Sequence, residues 1–282
     1  MAIAGMRTDL HIHTQASDGC WTPQRLIVEL QAQGIGLFAV ADHDSVASVP
    51  EAERLAREAG LAFLRGVEVS TVLEGHLFHV LAYGFDLDNP TFAALLRENQ
   101  ATLNQASDDV LHRLAAAGYG VDLDDYAIYE YDRTRGGWKA LNFLIDRGFC
   151  TGVEDYFRNL IAHLPNEAPQ FPHPAEVIAA IRRAGGVPIL AHPGISLRHA
   201  GITDQALRPL LDSGIAGLEC YSHYHDEATT RTCLDWCTRR DLLITGGSDC
   251  HGGFVKRELG VPPIDVADLR LGELEERIAH PR

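Results

Sequence analysis

The sequence predicts an α/β fold built on a parallel barrel, with its functional site at the carboxyl ends of the strands. Short apolar runs alternate with segments of helical periodicity along most of the chain. Such alternation with short connections is typical of parallel sheets. In addition, five of the apolar runs end on residue types that bind metals. Because the carboxyl ends of barrel strands meet at one mouth, we expect these residues to converge there.

The first strand carries the motif on which the prediction rests. Residues 7–14 alternate apolar with polar side chains, and this period of two places His11 and His13 on the same face. Two neutral imidazoles that converge in this way form a chelate suited to zinc, manganese or iron. A pair of surface histidines is the alternative. The residues that end the later runs weigh against it: Asp42-His43-Asp44, Glu68, His79, His192 and Asp249-Cys250-His251.

The other elements follow from periodicity and from the placement of Pro and Gly. Leu26, Ile27 and Leu30 recur at helical spacing between Pro23 and Gly34, which predicts the first helix. Further helices are predicted over 48–59, 175–184, 203–213 and 227–240. The later strands are predicted at 37–41, 61–69, 78–81, 187–191, 215–221 and 242–248, which makes seven in all.

The pattern changes after residue 85. Helices are predicted over 91–117, 138–147 and 153–163, with no strong strand between them. Four prolines then mark a return linker: Pro165, Pro169, Pro172 and Pro174. We therefore divide the chain into a barrel domain of residues 1–85 and 171–282 and an inserted helical substrate-binding subdomain of residues 86–170, which we expect beside the barrel mouth.

Composition excludes several classes of protein. The chain has 282 residues, 46% of them hydrophobic, and can bury the core of one main domain with an insertion. A formal charge of −15 argues against a stable nucleic-acid complex, since non-specific binding rests on Lys and Arg. No run approaches the roughly 18 apolar residues of a membrane span. The six scattered cysteines do not have the density of a disulfide scaffold. We expect a soluble, cytoplasmic protein with reduced thiols and no obligate protein partner.

The order of the motifs resembles that of a known family. In sequence order, the motifs of this chain are His11-x-His13, Asp42-His43, Glu68, His79, His192-Pro193 and Asp249-x-His251. This set resembles the polymerase and histidinol phosphatase (PHP) family of metal-dependent phosphoesterases, and the resemblance covers most of the chain. It implies a distorted seven-stranded (β/α)7 barrel of PHP type, in agreement with the seven predicted strands. The family pattern also selects His79, rather than the neighbouring His76, to face the pocket.

The resemblance implies nine metal ligands in three groups. The first metal would be held by His11, His13, Glu68 and Asp249. Glu68 would bridge to a second metal, held also by His79 and His192. The third would be held by Asp18, His43 and His251. Relatives place a histidine near Asp18, and oxygen ligation would make this site more tolerant of manganese or magnesium. We expect two to three divalent ions, manganese foremost, with zinc, iron or magnesium as alternatives.

The implied chemistry is phosphoester hydrolysis by a hydroxide that bridges the metals. No Ser, Cys or Asp nucleophile is then required. Asp42 neighbours a ligand histidine and is expected to assist by orienting an imidazole through its N–H. His223 follows the sixth strand and is a candidate for a phosphate contact or a leaving-group acid. An ordinary loop histidine is the alternative for His223.

The insertion is expected to bind the rest of the substrate. Related phosphoesterases place an arginine and then a histidine in a segment that matches residues 133–139, where Arg135 fits the arginine and Lys139 stands near the histidine position. Arg135 can grip a phosphate with two hydrogen bonds, and Lys139 adds a point charge. On the long helix, Thr102, Asn104 and Gln105 stand where relatives tend to carry arginines, so contacts there would be neutral hydrogen bonds. A solvated loop with two cations is the alternative.

Three functions are compatible with the resemblance. The chain looks most like the stand-alone bacterial enzymes that remove the 3′-phosphate from nucleoside 3′,5′-bisphosphates, such as adenosine 3′,5′-bisphosphate. Some relatives in that group also trim short RNA from the 5′ end, so the expected partner is a small nucleotide or a short RNA end. The first alternative is histidinol-phosphate phosphatase. The second is a non-catalytic PHP module, against which the full set of ligand residues speaks.

Overall fold

Seven strands form one sheet whose spatial order is the order of the sequence. The computed structural model describes residues 5–164 and 169–281. The strands are β1 (Arg7–Ile12), β2 (Ile35–Val40), β3 (Ala62–Leu73), β4 (His76–Tyr83), β5 (Val187–Leu190), β6 (Gly217–Ser222) and β7 (Leu243–Gly247). All seven predicted strands are therefore confirmed.

The first and last strands approach each other and nearly close the sheet into a barrel. Ile12 and Cys250 form a parallel bridge, and the backbone N–H of His13 donates to the carbonyl of Cys250 at 2.8 Å. Gly247 lies against the backbone of His11, where a Cβ atom would come within 2.5 Å of the His11 nitrogen. The absence of a side chain at Gly247 is thus what lets β7 reach the first metal-ligand candidate.

The prediction of an all-parallel barrel is wrong at β4. This strand runs antiparallel to both β3 and β5, whereas the other neighbouring pairs are parallel. The reason is the short turn between Leu73 and His76, in which Glu74 and Gly75 have φ of 51° and 78°. Two consecutive positive φ angles are the requirement of a tight hairpin turn, and a two-residue turn can join only antiparallel strands. As a result, the first half of β4, and not its end, lies at the mouth.

Helices pack on the outside of the strands. Those between strands are α1 (Pro23–Ala32), α2 (Val49–Ala59), α7 (Pro174–Arg183), α8 (Pro193–Ser196), α9 (Asp204–Asp212) and α10 (Glu227–Arg240). Side-chain caps and prolines in the first turn fix where several of them begin. At α1, for example, the Thr22 hydroxyl accepts from the Arg25 N–H and Pro23 follows at once. The predicted helices are confirmed, with ends displaced by a few residues.

A second group of helices, α3 to α6, lies between β4 and α7. It comprises α3 (Pro90–Ala116), α4 (Leu123–Ile128), a 3₁₀ turn (Arg133–Arg135), α5 (Lys139–Asp146) and α6 (Val153–Asp155), which continues as a π-helix (Tyr156–Leu160). These helices bury a cluster of their own, in which Leu111, Leu114, Leu141 and Phe143 are at most 1% exposed. We call the segment 86–170 the cap. Pro165, part of the predicted linker, lies outside the described residues, and the division into barrel and cap remains a proposal.

The barrel encloses an apolar interior that is closed at the base by the C-terminal segment. Leu10, Leu64, Leu81 and Ile189 are fully buried and belong to one cluster with Leu274 of the 3₁₀ segment Gly272–Arg277. Bridges from the C-terminal segment pair with the amino-terminal ends of β1, β3 and β7. Apolar clusters also fill the space between the strands and the outer helices. Among the described helices, none combines the length and apolar character that a membrane span requires.

Candidate metal centre

Glu68 lies at the centre of five imidazole rings at the barrel mouth. Its side chain is fully buried on β3. The distances from its oxygens to ring nitrogens are 3.3 Å for His11 and His13, 3.1 Å for His43 and His79 and 2.9 Å for His192. These residues come from β1, β4 and the turns after β2 and β5. His79 comes from the β3–β4 hairpin. It lies in the first half of the antiparallel strand β4, where it pairs with Ser70 of β3.

Asp249 and Asp18 complete the cluster on the side of β7. Asp249 Oδ1 lies 3.0 Å from His13 Nε2, and Asp18 Oδ2 lies 3.3 Å from His251 Nε2. All nine residues predicted as metal ligands therefore lie in one connected cluster. Asp249 adopts a positive φ of 55° and His192 one of 27°. Backbone strain of this kind concentrates at functional sites, where the surrounding structure must hold it.

Potential ligand atoms fall into three groups, in each of which they lie within 4.8 Å of one another. The groups are His11, His13, Glu68 and Asp249, then His13, Asp18, His43 and His251, and lastly His43, Glu68 and His79. The first group is the one implied by the family resemblance. The last group differs from the predicted set of Glu68, His79 and His192, because His43 takes the place of His192. His192 contacts Glu68 but belongs to none of the three groups among the described residues.

Unpaired buried atoms in the cluster fit divalent cations. Among the described residues, five buried ligand atoms make no hydrogen bond of good geometry: His11 Nε2, His13 Nε2, Asp18 Oδ1, Glu68 Oε2 and Asp249 Oδ1. Buried polar atoms without partners cost free energy, so a native structure seldom leaves several together. Mixed imidazole and carboxylate donors suit manganese, zinc or iron. The residues present therefore fit a metal centre with more than one ion.

The electrostatics of the cluster are those of closely packed acids and bases. Burial alone lowers the pKa of His13, but Asp249 and Glu68 outweigh it and raise this pKa to about 10. Burial raises the pKa of Glu68, yet His79, His11 and His43 hold it well below its usual range. His43 behaves in the opposite way, because burial prevails and lowers its pKa to about 3.

Glu219 supports two of the candidate ligands and was not predicted. It is fully buried on β6, with Oε1 at 2.8 Å from His11 Nδ1. Its other oxygen accepts from the backbone N–H of His192 at 2.7 Å. One carboxylate thus orients a ring on β1 and fixes the strained turn after β5. The available signal was a lone carboxylate in the middle of an apolar strand, which has to find buried partners.

Arg257 and Tyr224 form a second support that the sequence did not reveal. Arg257 donates to Asp249 Oδ2 at 2.5 Å and lies 4.8 Å from the centre of the Tyr224 ring. The Tyr224 ring meets His192 edge-on at 5.4 Å. The exposed His223 has its ring 5.8 Å from that of Tyr224. His223 is thus linked to the metal-ligand cluster through Tyr224, the next residue in the chain.

Asp42 acts differently from the prediction that it orients an imidazole. Its carboxylate accepts four hydrogen bonds, from the N–H and hydroxyl of Thr14 and from the hydroxyls of Ser17 and Ser48, at 2.5–2.7 Å. Both oxygens are occupied by these donors, none of which is a ring nitrogen. Asp42 therefore holds the loop after β1. It reaches His13 only through Ser17, whose hydroxyl lies 3.5 Å from His13 Nδ1.

The cap touches the site through α3 and the 3₁₀ turn. Asn99 is buried and donates to Asp44 Oδ1 and to the carbonyl of Ser70, both at 2.8 Å. The N–H of Gly137 donates to the carbonyl of Asp18 at 2.7 Å. The side of the site that carries Asp18 is therefore partly built by the cap.

The residues predicted to bind substrate have partners within the cap or no described contact with the cluster. Arg135 pairs with Asp146 through two hydrogen bonds of 2.8 and 2.9 Å, and the Lys139 ammonium lies 4.5 Å from the centre of the Tyr126 ring. Both cations therefore have partners within the cap, and their contact with substrate stays a prediction. Gln105 donates along α3 to Asp109, while Thr102 is half-buried and Asn104 exposed.

Comparison with known proteins agrees with this geometry. The family profile described as PHP domain matches residues 9–179. The chain is 30% identical over 270 residues to the 5′-3′ exoribonuclease of Haemophilus influenzae, covering 92% of this chain and 95% of that protein. It is 28% identical to the 3′,5′-nucleoside bisphosphate phosphatase of Chromobacterium violaceum, covering 97% of this chain and 98% of that protein.

Two solved structures share the fold over nearly the whole chain. A candidate metal-dependent phosphoesterase from Bifidobacterium adolescentis superposes with a TM-score of 0.83 at 29% identity, covering 96% of each chain. An amidohydrolase from Chromobacterium violaceum, solved with sulfate and no metal, superposes with a TM-score of 0.79 at 26% identity and covers 98% of each chain. The chain shares its fold with both structures, and the barrel mouth carries a cluster of His, Asp and Glu.

Proposed function

Because the chain belongs to the PHP family of phosphoesterases, we propose that it is a metal-dependent phosphomonoesterase that removes the 3′-phosphate from nucleoside 3′,5′-bisphosphates. Adenosine 3′,5′-bisphosphate would yield AMP. The observation that supports this best is the convergence of nine ligand-type side chains around Glu68, with five of their atoms unpaired. Divalent cations held there, manganese foremost, would polarise the phosphoryl group and lower the pKa of an attacking water.

The protein's own residues would hold the reacting groups in place. In the reaction, water attacks phosphorus, the bond from phosphorus to O3′ breaks, and O3′ leaves with a proton. Glu219 keeps the ring of His11 turned toward Glu68, and Arg257 keeps Asp249 turned toward His13. We assign His223 as the donor of the leaving-group proton, because its ring lies beside Tyr224, which contacts His192.

Trimming of RNA from the 5′ end is the second candidate. The chemistry is the same, since a bisphosphate and a 5′-phosphorylated RNA both present an ester between phosphorus and O3′ of the first nucleotide. The two substrates differ only in whether that phosphorus carries a second nucleoside. The 30% identity with the Haemophilus influenzae exoribonuclease favours this candidate. A soluble protein without an obligate partner, working in the cytoplasm, remains our prediction.

Release of phosphate from the monoesters of a defined panel, and of mononucleotide from its RNA, tests the proposal. The manganese-loaded protein is assayed with adenosine 3′,5′-bisphosphate, AMP, histidinol phosphate and 5′-phosphorylated RNA trinucleotides. We expect the bisphosphate to have the highest kcat/KM among the monoesters. An Asp249→Asn preparation controls for contaminating phosphatases. Preference for histidinol phosphate would replace the proposal with the alternative phosphatase, and no turnover of any substrate would support a non-catalytic module.

A further inference from the structure

A cavity of about 300 Å³ lies on the outer side of the β3–β4 hairpin, apart from the metal-ligand cluster. Its apolar part includes Leu73, Phe78 and Leu197. Two exposed histidines, His76 and His199, stand over it with their rings stacked at 3.8 Å and 11°. Ligand pockets of this size combine apolar walls with a few polar groups that fix orientation.

The polar groups of the cavity are free to bind a ligand. Within the described residues, the rings of His76 and His199 have no hydrogen-bond or ion-pair partner, and the Gln205 amide has none either. The lining includes Glu74 but no Lys or Arg among the described residues. A phosphate or carboxylate is therefore a poor ligand, because nothing would offset its charge beside Glu74. A neutral planar ring with hydrogen-bonding edges fits both the stacked imidazoles and their unpaired nitrogens.

The position of the cavity follows from the strand register. His76 precedes His79 by three residues on β4, so the stacked pair lies roughly 10 Å along the strand from a residue that contacts Glu68. On the facing segment, Leu197 and His199 follow His192 through the short helix α8. Two chain segments thus each carry one residue of the metal-ligand cluster and a wall of the cavity. A chain bound at the cluster can extend across the hairpin rim.

We propose that this cavity binds the base of the second nucleotide of a 5′-phosphorylated RNA. The inference rests on the proposed function, because it presumes that the first nucleotide is cleaved at the metal-ligand cluster. The second base stacks on the His76–His199 pair, and the imidazole nitrogens and Gln205 bind its edges. A nucleoside bisphosphate has no second base and makes none of these contacts. The cavity therefore separates RNA from mononucleotide substrates.

The test compares substrates with and without the second base. The double variant His76→Ala/His199→Ala is assayed with a 5′-phosphorylated RNA trinucleotide, with the same trinucleotide lacking its second base, and with adenosine 3′,5′-bisphosphate. Loss of a stacking contact is expected to lower kcat/KM on the intact trinucleotide by about 5- to 100-fold. The bisphosphate should change by less than about twofold. For the abasic trinucleotide, wild type and variant should be equally slow.

A matched control and a binding measurement keep the result interpretable. His112→Ala removes an exposed imidazole from α3, outside the cavity, and should behave as wild type on every substrate. Fluorescence anisotropy of labelled RNA trinucleotide, intact or abasic, on the metal-free protein measures the contact without turnover. If the wild type cleaves nothing but binds the intact trinucleotide more tightly than the variant does, the proposed function fails and the cavity assignment stands. Equal losses on RNA and bisphosphate, or a loss that persists without the second base, would overturn the cavity assignment.

Discussion

The carboxylate of Glu219 lies 2.8 Å from Nδ1 of His11, and this contact leaves Nε2 as the ring nitrogen of His11 that faces Glu68. A buried acceptor on one side of an imidazole sets both its tautomer and its orientation. The first candidate metal ligand of the chain therefore depends on a residue more than 200 positions away.

Replacing Glu219 should weaken metal binding without unfolding the protein. Glu219→Gln keeps the shape of the side chain but offers one acceptor where Glu219 uses two, so the His11 ring and the His192 N–H can no longer both be held. We expect apparent manganese affinity to fall by roughly 10- to 100-fold. Competition with a chelating dye measures this fall, and far-UV circular dichroism checks the fold. Glu227→Gln, at a side chain 90% exposed, is the control. Unchanged affinity in Glu219→Gln would mean that His11 is positioned by its backbone alone.

Glu68 should serve more than one metal ion. Its two oxygens contact rings that fall into different ligand groups, so Glu68→Ala is expected to lose more than one equivalent of bound metal and all turnover. Elemental analysis of purified protein, dialysed against a fixed manganese concentration, provides the count. His223→Ala is the comparison, since it should lower turnover while full metal content remains. Full occupancy in Glu68→Ala would rule out a bridging role.

Arg135 should determine preference for a bisphosphate once it is released from Asp146. The metals can hold only the phosphate that is cleaved, so selectivity requires a second anion site. We expect Arg135→Ala to lower kcat/KM on adenosine 3′,5′-bisphosphate by about 10- to 100-fold, which corresponds to a charge-assisted contact of roughly 1.5–3 kcal/mol. The kcat/KM on an aryl phosphate should stay unchanged. Because Asp146 competes for the same guanidinium, Asp146→Asn should act in the opposite direction. Equal losses on both substrates would assign Arg135 to the fold instead.

Metal affinity should rise steeply with pH. Burial lowers the pKa of His13, but Asp249 and Glu68 outweigh it and raise this pKa to about 10 in the metal-free pocket. The pKa of His11 is raised too, by Glu219 and Glu68 against the effect of burial. A metal must displace these protons, and each displaced proton adds about tenfold in affinity per pH unit. Titrations with manganese at pH 6.5, 7.5 and 8.5 would show this slope, and a flat profile would mean that both rings are already neutral.

The stability of the metal-free protein should respond to pH in the opposite direction. The pKa of His13 is higher in the folded than in the unfolded chain, where it is near 6.5. The stabilisation from its charged form is therefore complete below 6.5 and is lost as pH rises toward 10. Thermal unfolding of metal-free protein should show Tm falling across this interval, whereas His13→Gln should flatten the curve.

Local patterns were sufficient to predict the strands and the convergence of the metal-ligand candidates. A period of two and the type of residue at the end of each run are properties of a few neighbouring residues, so the sequence alone predicts that His11, Glu68 and Asp249 lie together. The direction of β4 could also have been read locally, because Glu74-Gly75 between two apolar runs is a hairpin signal.

Pairings between distant residues could not be predicted in this way. Glu219 acts on His11, which the fold alone brings near, and Arg257 reaches back across a loop of eight residues to Asp249. No periodicity relates the members of either pair. The capture of Arg135 by Asp146 likewise depends on how α5 returns against the 3₁₀ turn. The metal-ligand assignments, the substrate contacts and the cap boundary remain predictions.

The antiparallel direction of β4 also determines where α3 begins and therefore on which side of the barrel mouth the cap lies. Because β4 runs down the barrel, α3 begins near the base, where the N–H of Asp86 donates to Ala184. Its 27 residues then rise for about 40 Å past the mouth. The hydrogen bond from Asn99 to Asp44 fixes the lower part of α3 on the barrel, so the rotation of the helix at Asn99 sets the orientation of the cap residues that follow. One residue inserted between 100 and 109 would swing the cap by about 100° around the helix axis and separate Gly137 from Asp18.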